Sequence, residues 1–382
     1  MSDISEPQHL GVISQCYDQT FKSFYQHERD LTEGGQGSVS LACVRATGKI
    51  VVIKRLKLAP NADLRTVPEL IMLDRVQRIG PHPNVVQYLQ VWNTPAAPGE
   101  CPTSRIILPY IVGGDLSNFK KQFVKMTCKV PEAFIFHAFK QMVTGFSFLH
   151  ENGICHRDIK PQNIMVDPVN FGDPALFPNL KIIDFGIAAE TTLDHETFDG
   201  TPKYQPPEAP IAGAKADVFA IGAIIHFLAT GSATKADCPK NIADDKVSDY
   251  YRNSPINILR LVSPDDHDFT FGSLTLTEAQ NLTFDSGKPL PRGDYYSPLL
   301  EYYMSRALDT NPYTRITLPR LASTMFDDAD RQINFYKAWF KKCRAENVRA
   351  TLNIAMIEPY TGWTPELADS LASEASRLAL DG

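Results

Sequence analysis

The segment Ile154-Cys-His-Arg-Asp-Ile-Lys-Pro-Gln-Asn163, followed downstream by Asp184-Phe-Gly186, carries Asp158, Lys160, Asn163 and Asp184 in loops beside short apolar runs. Ile164-Met-Val166 and Leu180 to Ile183 read as β-strands. Loops flanked by strands present polar side chains at fixed positions, which is where chemistry usually sits. A carboxylate able to take a hydroxyl proton, with an amide oxygen and a second carboxylate able to hold Mg²⁺, is a set suited to phosphoryl transfer.

With 382 residues the chain has room for one large two-lobed domain or two ordinary ones. A hydrophobic fraction of 43% and a charged fraction of 21% are those of a soluble globular protein. The formal charge of −6 gives no reason to expect nucleic acid or an acidic membrane surface as a partner. The seven cysteines are dispersed, without a CxxC pair or metal-ligand spacing, which predicts a reduced intracellular compartment, cytoplasm and/or nucleus. Met-Ser-Asp-Ile-Ser-Glu at the start lacks the apolar core of a signal peptide, and no apolar run reaches the length of a membrane span.

Upstream, Leu31-Thr-Glu-Gly34-Gly35-Gln-Gly37-Ser-Val39 predicts a glycine-rich hairpin whose backbone N–H groups can approach phosphate oxygens. Thr47-Gly-Lys49 turns the chain into Ile50-Val-Val-Ile-Lys54, an apolar strand that ends on a lysine. Residues 1–27 carry no motif and read equally as an extra strand, a short helix or a tail. Glu69 has two readings: partner of Lys54, or capping-box acid of Thr66-Val-Pro-Glu69 with Pro68 in the first helical turn. Thr94 to Thr103 is a predicted surface loop.

Further on, Phe134, Ala138, Met142, Phe146 and Leu149 recur at helical spacing and predict a long buried helix leading into the opening segment. Asp167 to Asn179, with several prolines, predicts a surface hairpin extension. Three more motifs follow: Gly200-Thr-Pro-Lys-Tyr204 with Pro206-Pro-Glu208; Asp217-Val-Phe-Ala-Ile-Gly222 heading an apolar run; and Leu308-Asp-Thr-Asn-Pro312-Tyr-Thr-Arg315. Residues 232–298 are long and polar for a connection, a solvated insertion or a docking surface for a regulatory partner.

These motifs, in this order over about residues 28–326, resemble the eukaryotic-type serine/threonine protein kinases. The resemblance implies an α+β, two-lobed protein-kinase fold. Its small β-rich N-lobe would span about 28–110, its larger, mainly helical C-lobe about 111–326, with a C-terminal helical extension over 327–382. It implies ATP and Mg²⁺ as cofactors and a protein substrate. Asp158 would be the catalytic base, Lys160 the neutraliser of the γ-phosphate, and Asn163 and Asp184 the metal ligands. Lys54 would pair the phosphates and be held by Glu69. Gly34 and Gly37 match the phosphate lid, while Thr32 and Gln36 depart from it. Leu31, Val39, Val52 and Met165 would line the adenine slot, with Leu108 as gatekeeper, Pro109 and Ile111 offering backbone groups to the adenine edge, and Asp115 at the ribose. Thr201 would bridge Asp158 and Lys160, Asp217 would hold the backbone of the opening segment, and Glu208 would pair with Arg315. His156 would be a core residue against Phe185.

Several alternatives stay open in the sequence. Arg157 would be satisfied either by a phosphorylated Thr191, Thr192 or Thr197 or by a carboxylate of that acidic loop. Ile333, Tyr336, Phe340 and Cys343, with Trp339 beside them, form a helical stripe that packs on the lobe or on a regulatory partner, and Thr364-Pro-Glu starts a second helix. The rival functional reading is a pseudokinase or nucleotide-binding scaffold, favoured by Thr32, Gln36 and Val52. A small-molecule phosphotransferase fits less well, given Thr201, Glu208 and Arg315.

Overall fold

The computed structural model describes residues 18–34, 37–60, 62–94, 101–125, 129–167, 177–190, 200–208, 213–239, 241–243, 246–247, 250–251, 254–259, 261 and 296–345. Gln36, Thr191, Thr192, Thr197, the middle of the 167–179 extension and the helix expected from Thr364 lie outside them. The described residues divide into two compact units, one of residues up to Pro81 with Val85–Val112, the other of His82–Asn84 with Gly113 and the described residues after it.

The first unit is an antiparallel sheet of five strands in the order β1-β2-β3-β5-β4. They are β1 (Tyr25–Gly34), β2 (Gly37–Val44), β3 (Ile50–Leu56), β4 (Gln90–Thr94) and β5 (Thr103–Pro109). β-Branched residues fill β3, and period-two alternation gives it two different faces. Val51 and Ile53 join Ala42, Ile107 and Phe21 in one core. Val52 and Lys54 point the other way, opposite Leu108 and Ile106 on β5 and Leu41 and Val39 on β2. Lys54 does not end the strand, as the apolar run implied; β3 continues to Leu56.

Residues 18–24, for which the sequence offered no motif, are helical. Phe21 fills the core, meets the Tyr25 ring tilted at 4.9 Å and the Trp92 ring edge-on at 5.6 Å, and lies 4.6 Å beneath the Arg105 guanidinium. Arg105 in turn pairs with Asp18 at 2.7 Å. That contact fastens the helix to the strand that leads toward Leu108 and Pro109. Helix α1 (Pro68–Ile79) completes the unit, with Pro68 in its first turn. Its N-cap is Val67, with no side-chain cap, so the capping-box reading of Thr66 and Glu69 does not hold: the Thr66 hydroxyl instead donates to the Asp63 carbonyl at 2.8 Å.

The second unit is mainly helical. Its helices among the described residues include α2 (Leu116–Lys125), α3 (Glu132–Glu151), α4 (Ala214–Thr230), α5 (Pro298–Ala307) and α6 (Leu318–Ala345). Both α3 and α4 are buried along most of their length, as the predicted apolar runs require. Two short two-stranded antiparallel sheets carry the loops: β6 (Ile154–Cys155) pairs with β9 (Ala189–Glu190), and β7 (Ile164–Asp167) with β8 (Asn179–Ile182). Asn84 donates to Gln141 Oε1 at 2.6 Å and to the Leu180 carbonyl at 3.0 Å, tying the chain entering this unit to α3 and β8. The helix expected from Asp327 begins earlier, at Leu318, and passes through 326–327 without a break. Tyr336 on it is fully buried and stacks 5.0 Å from Phe177, Ile333 is buried, and Asp330 meets Lys140 of α3 at 2.6 Å. The first half of the apolar stripe therefore packs on its own unit. No helix among the described residues is long and apolar enough to cross a membrane.

Candidate active site

β6 delivers the chain into a tight loop, and a single turn of 3-10 helix at Pro161–Asn163 leads out of it into β7. Arg157 in that loop has φ 69°, and Asp184 after β8 has φ 67°. A side chain at positive φ costs roughly 1–3 kcal/mol, so the surroundings must impose it. Asp217, from the first turn of α4, does so at Arg157. Its Oδ2 accepts the His156 N–H at 2.9 Å and its Oδ1 accepts the Arg157 N–H at 3.0 Å. His150, at the end of α3, adds a third bond to Oδ2 at 2.8 Å. Burial works to raise the Asp217 carboxyl, but the His150 hydrogen bond and the imidazoles of His150 and His156 outweigh it and hold it below its ordinary value.

His156 is fully buried. Its Nε2 donates to the Ile183 carbonyl at 2.9 Å, and its ring lies 5.4 Å from that of Phe185. It links the loop to the residue before Asp184 and is closed to any substrate.

Four donor contacts converge on the side chain of Asp158. Lys160 Nζ lies 2.7 Å from Oδ2 and Asn163 Nδ2 3.1 Å from the same oxygen. The Thr201 N–H and hydroxyl reach Oδ1 at 2.9 and 2.7 Å. Lys160 also donates to Thr201 Oγ1 at 3.0 Å, which closes a triangle of carboxylate, ammonium and hydroxyl. Gly200 makes the approach of Thr201 workable: it has φ 99°, and a Cβ there would sit 2.4 Å from the Arg157 carbonyl. Asn163 Nδ2 further donates to the Asp158 carbonyl at 2.8 Å, and the Asn163 carbonyl accepts the Ile183 N–H at 3.0 Å, placing Asn163 and Asp184 on adjoining backbone.

Behind this triangle the segment ends on Glu208, gripped by Arg315 through Nη1 at 2.5 Å and Nη2 at 2.9 Å. The Arg315 side chain is wholly buried and lies 5.1 Å from the Phe219 ring.

In the first unit Lys54 Nζ meets Glu69 Oε1 at 2.6 Å, both side chains being largely buried. Val39, Val52 and Leu108 share the Lys54 face through cross-strand pairing. Gly34 and Gly37 close the β1–β2 hairpin opposite each other, and a Cβ on Gly37, with φ 151°, would strike the Arg55 carbonyl at 2.0 Å. Leu31 lies at a break in the β1–β2 register and is 42% exposed. Pro109 ends β5, and Ile111 beyond it is buried.

In the second unit Asp115 and Met165 face each other across an isolated bridge. The Asp115 carboxylate accepts the Asn118 N–H at 2.8 Å and its side-chain amide at 2.7 Å, capping α2. That cap and His150 are contacts the sequence reading missed. An acid just before a helical run was a legible cap signal; His150 looked like one more residue at the end of a helix.

Comparison with known proteins adds the following. The family model described as protein kinase domain matches residues 25–326. The chain is 27% identical over 303 residues to the cytokinesis protein sepH of Emericella nidulans, covering 78% of this chain and 18% of that protein. It is 28% identical over 305 residues to the serine/threonine-protein kinase SRK2D of Arabidopsis thaliana, 78% of this chain and 70% of that one. It is 33% identical over 208 residues to the serine/threonine-protein kinase ATG1a of Arabidopsis thaliana, 52% of this chain and 30% of that one. The chain spans 18–24% of the length of the sepH proteins it matches.

Proposed function

Because this chain belongs to the protein kinase family, we propose that it transfers the γ-phosphoryl group of Mg-ATP to a serine or threonine hydroxyl of a protein, with Asp158 taking the acceptor proton. The observation that carries this reading is the Thr201 hydroxyl, held at once by the Asp158 carboxylate at 2.7 Å and the Lys160 ammonium at 3.0 Å. A carboxylate and an ammonium that together hold one hydroxyl are placed to hold another of the same type. Asp158 would orient and deprotonate the acceptor, which is worth about 10²–10⁴-fold for a positioned base. Lys160 would meet the charge developing on the transferred group.

Asn163 and Asp184 offer an amide and a carboxylate oxygen, the hard donors that Mg²⁺ takes. The bond from Asn163 Nδ2 to the Asp158 carbonyl directs the amide oxygen the other way, which suits that role. When bound, Mg²⁺ supplies charge neutralisation on the phosphates. In the first unit we assign Lys54, oriented by Glu69, to the phosphates, with Gly34 and Gly37 in the lid. Leu31, Val39, Val52, Leu108, Pro109, Ile111 and Met165 are assigned to the base, and Asp115 to the ribose. A ribose hydroxyl at Asp115 would share a carboxylate that already caps α2.

The test is incorporation of label from γ-labelled ATP, with Mg²⁺, into a basic carrier protein and into the chain itself, for wild type and Asp158→Asn. Label above the variant supports the reading; equal label at saturating nucleotide removes it in favour of a nucleotide-binding scaffold.

A further inference from the structure

Thr201 marks where an acceptor hydroxyl meets Asp158, so a substrate chain delivering one must run beside the residues that follow. Consecutive Cα atoms lie about 3.8 Å apart, so the backbone of Lys203 is within about 8 Å of that of Thr201. Its long side chain therefore lies within reach of the substrate residues flanking the acceptor. Lys203 is held in place. It occupies the 3-10 turn Pro202–Tyr204, Tyr204 is buried and donates its N–H to the Thr201 carbonyl at 3.0 Å, and the Lys203 carbonyl accepts the hydroxyl of the buried Thr234 at 3.1 Å.

The Lys203 ammonium is paired with Asp237, from the segment that follows α4. That segment is itself a fixed wall. Tyr250 donates to the Asp237 carbonyl at 3.3 Å, and the Cys238 N–H donates to Tyr251 Oη at 3.1 Å. His226, fully buried on α4, bonds the Ser232 carbonyl through Nδ1 at 2.9 Å and accepts the Leu259 N–H through Nε2 at 2.9 Å. Lys235 is buried in the same wall.

The two members of the pair differ in what they leave to a ligand. The Lys203 side chain is 31% exposed and that of Asp237 is 83% exposed. A carboxylate has about four lone-pair positions on two oxygens, and a single ammonium cannot fill them. A second cation can therefore approach Asp237 from solvent, whereas the less exposed Lys203 ammonium is already paired with a carboxylate. We propose that the Lys203–Asp237 pair is a subsite that reads charge beside the acceptor hydroxyl, and that it takes an arginine or lysine side chain of the substrate. The proposal rests on the protein-kinase reading given above.

The test uses the full chain and a matched peptide set: one acceptor serine, with arginine, alanine or glutamate at each of the three positions on either side. Relative kcat/KM values are taken within each variant, so a general loss of turnover cancels. In the wild type, at one or more positions, arginine should exceed alanine by up to about five-fold, the size of an exposed ion pair, and glutamate should fall below alanine. Asp237→Asn should abolish the arginine preference and turn it toward glutamate, now met by an uncompensated Lys203. Lys203→Met should move the ratio the opposite way, and Asp237→Glu should keep the wild-type order. Identical arginine, alanine and glutamate ratios in the wild type, Asp237→Asn and Lys203→Met would overturn this subsite while leaving the kinase reading intact. Absence of transfer by the wild type to every peptide and to the carrier protein would instead overturn the kinase reading and the subsite with it.

Discussion

Glu208→Gln keeps the shape of the side chain and one hydrogen-bond acceptor but removes the countercharge of a guanidinium that water cannot reach. The other groups that touch the Arg315 guanidinium are neutral: the Asp309 carbonyl on Nε at 2.8 Å, the Lys215 carbonyl on Nη1 at 2.8 Å, and the Phe219 ring; the Asp309 carboxylate and the Lys215 ammonium act on it without direct contact and with opposite sign. Breaking a buried pair from one side costs about 3–5 kcal/mol because the surviving charge is left uncompensated. The Glu208 side chain is 15% exposed and so was partly hydrated beforehand, which argues for the lower end, about 3 kcal/mol. At roughly 2–4 °C per kcal/mol for a unit of this size, the melting temperature should fall by roughly 6–12 °C. Differential scanning calorimetry on wild type, Glu208→Gln, Arg315→Met and the Glu208→Gln/Arg315→Met double variant measures it. The double variant should lose less than the two single losses added, because it leaves no buried charge. A shift below about 2 °C for Glu208→Gln, the size expected of an exposed pair, would refute the argument.

Three further outcomes are expected. Lys54→Met should lower kcat by about 10²–10³-fold, the loss typical of one positioned charge donor, and Glu69→Gln should lower it less; steady-state kinetics at saturating ATP would show the reverse order if Glu69 acted independently of Lys54. Thr201→Val removes the hydroxyl that joins Asp158 to Lys160 and should reduce turnover by about ten-fold or more, at one lost hydrogen bond to charged groups; Thr201→Ser should retain most of it. His137 on α3 is partly buried, and that burial pushes its imidazole down to about 4 against the pull of its bond to the Pro178 carbonyl. The unfolded chain then binds the extra proton first, so stability should fall as pH drops from about 6.5 to about 4, by about 3 kcal/mol in all. Urea midpoints of His137→Gln across that window should fall less than those of the wild type; parallel curves would refute it.

The two kinds of element were legible to different degrees, for physical reasons. The helices α3 and α4 and the strand β3 follow from apolar periodicity, because a buried face imposes its repeat on the chain. The Lys54–Glu69 contact, the Asp217 bonds to the loop backbone and the Glu208–Arg315 pair join residues far apart in sequence. Spacing alone does not reveal them; the resemblance to a known family did. Where that resemblance stopped, so did the reading. The 18–24 helix is short and mixed in composition, and it is held by Arg105, a residue on β5 remote in sequence. The Asp115 carboxylate also caps α2, a role its position just before the helix carried plainly and the resemblance did not supply. The helical extension was expected only from 327, where the family resemblance ends; burial of Leu318 and Leu321 begins the packed face of α6 earlier.

The account stands most directly on the rate of the chemical step in Asp158→Asn, measured by rapid-quench single turnover with Mg-ATP and a serine peptide, beside nucleotide affinity by calorimetry. Loss of about 10²–10⁴-fold in the chemical rate with nucleotide affinity retained is the expected result for a positioned base that does not bind the nucleotide. A chemical rate equal to that of the wild type would contradict it.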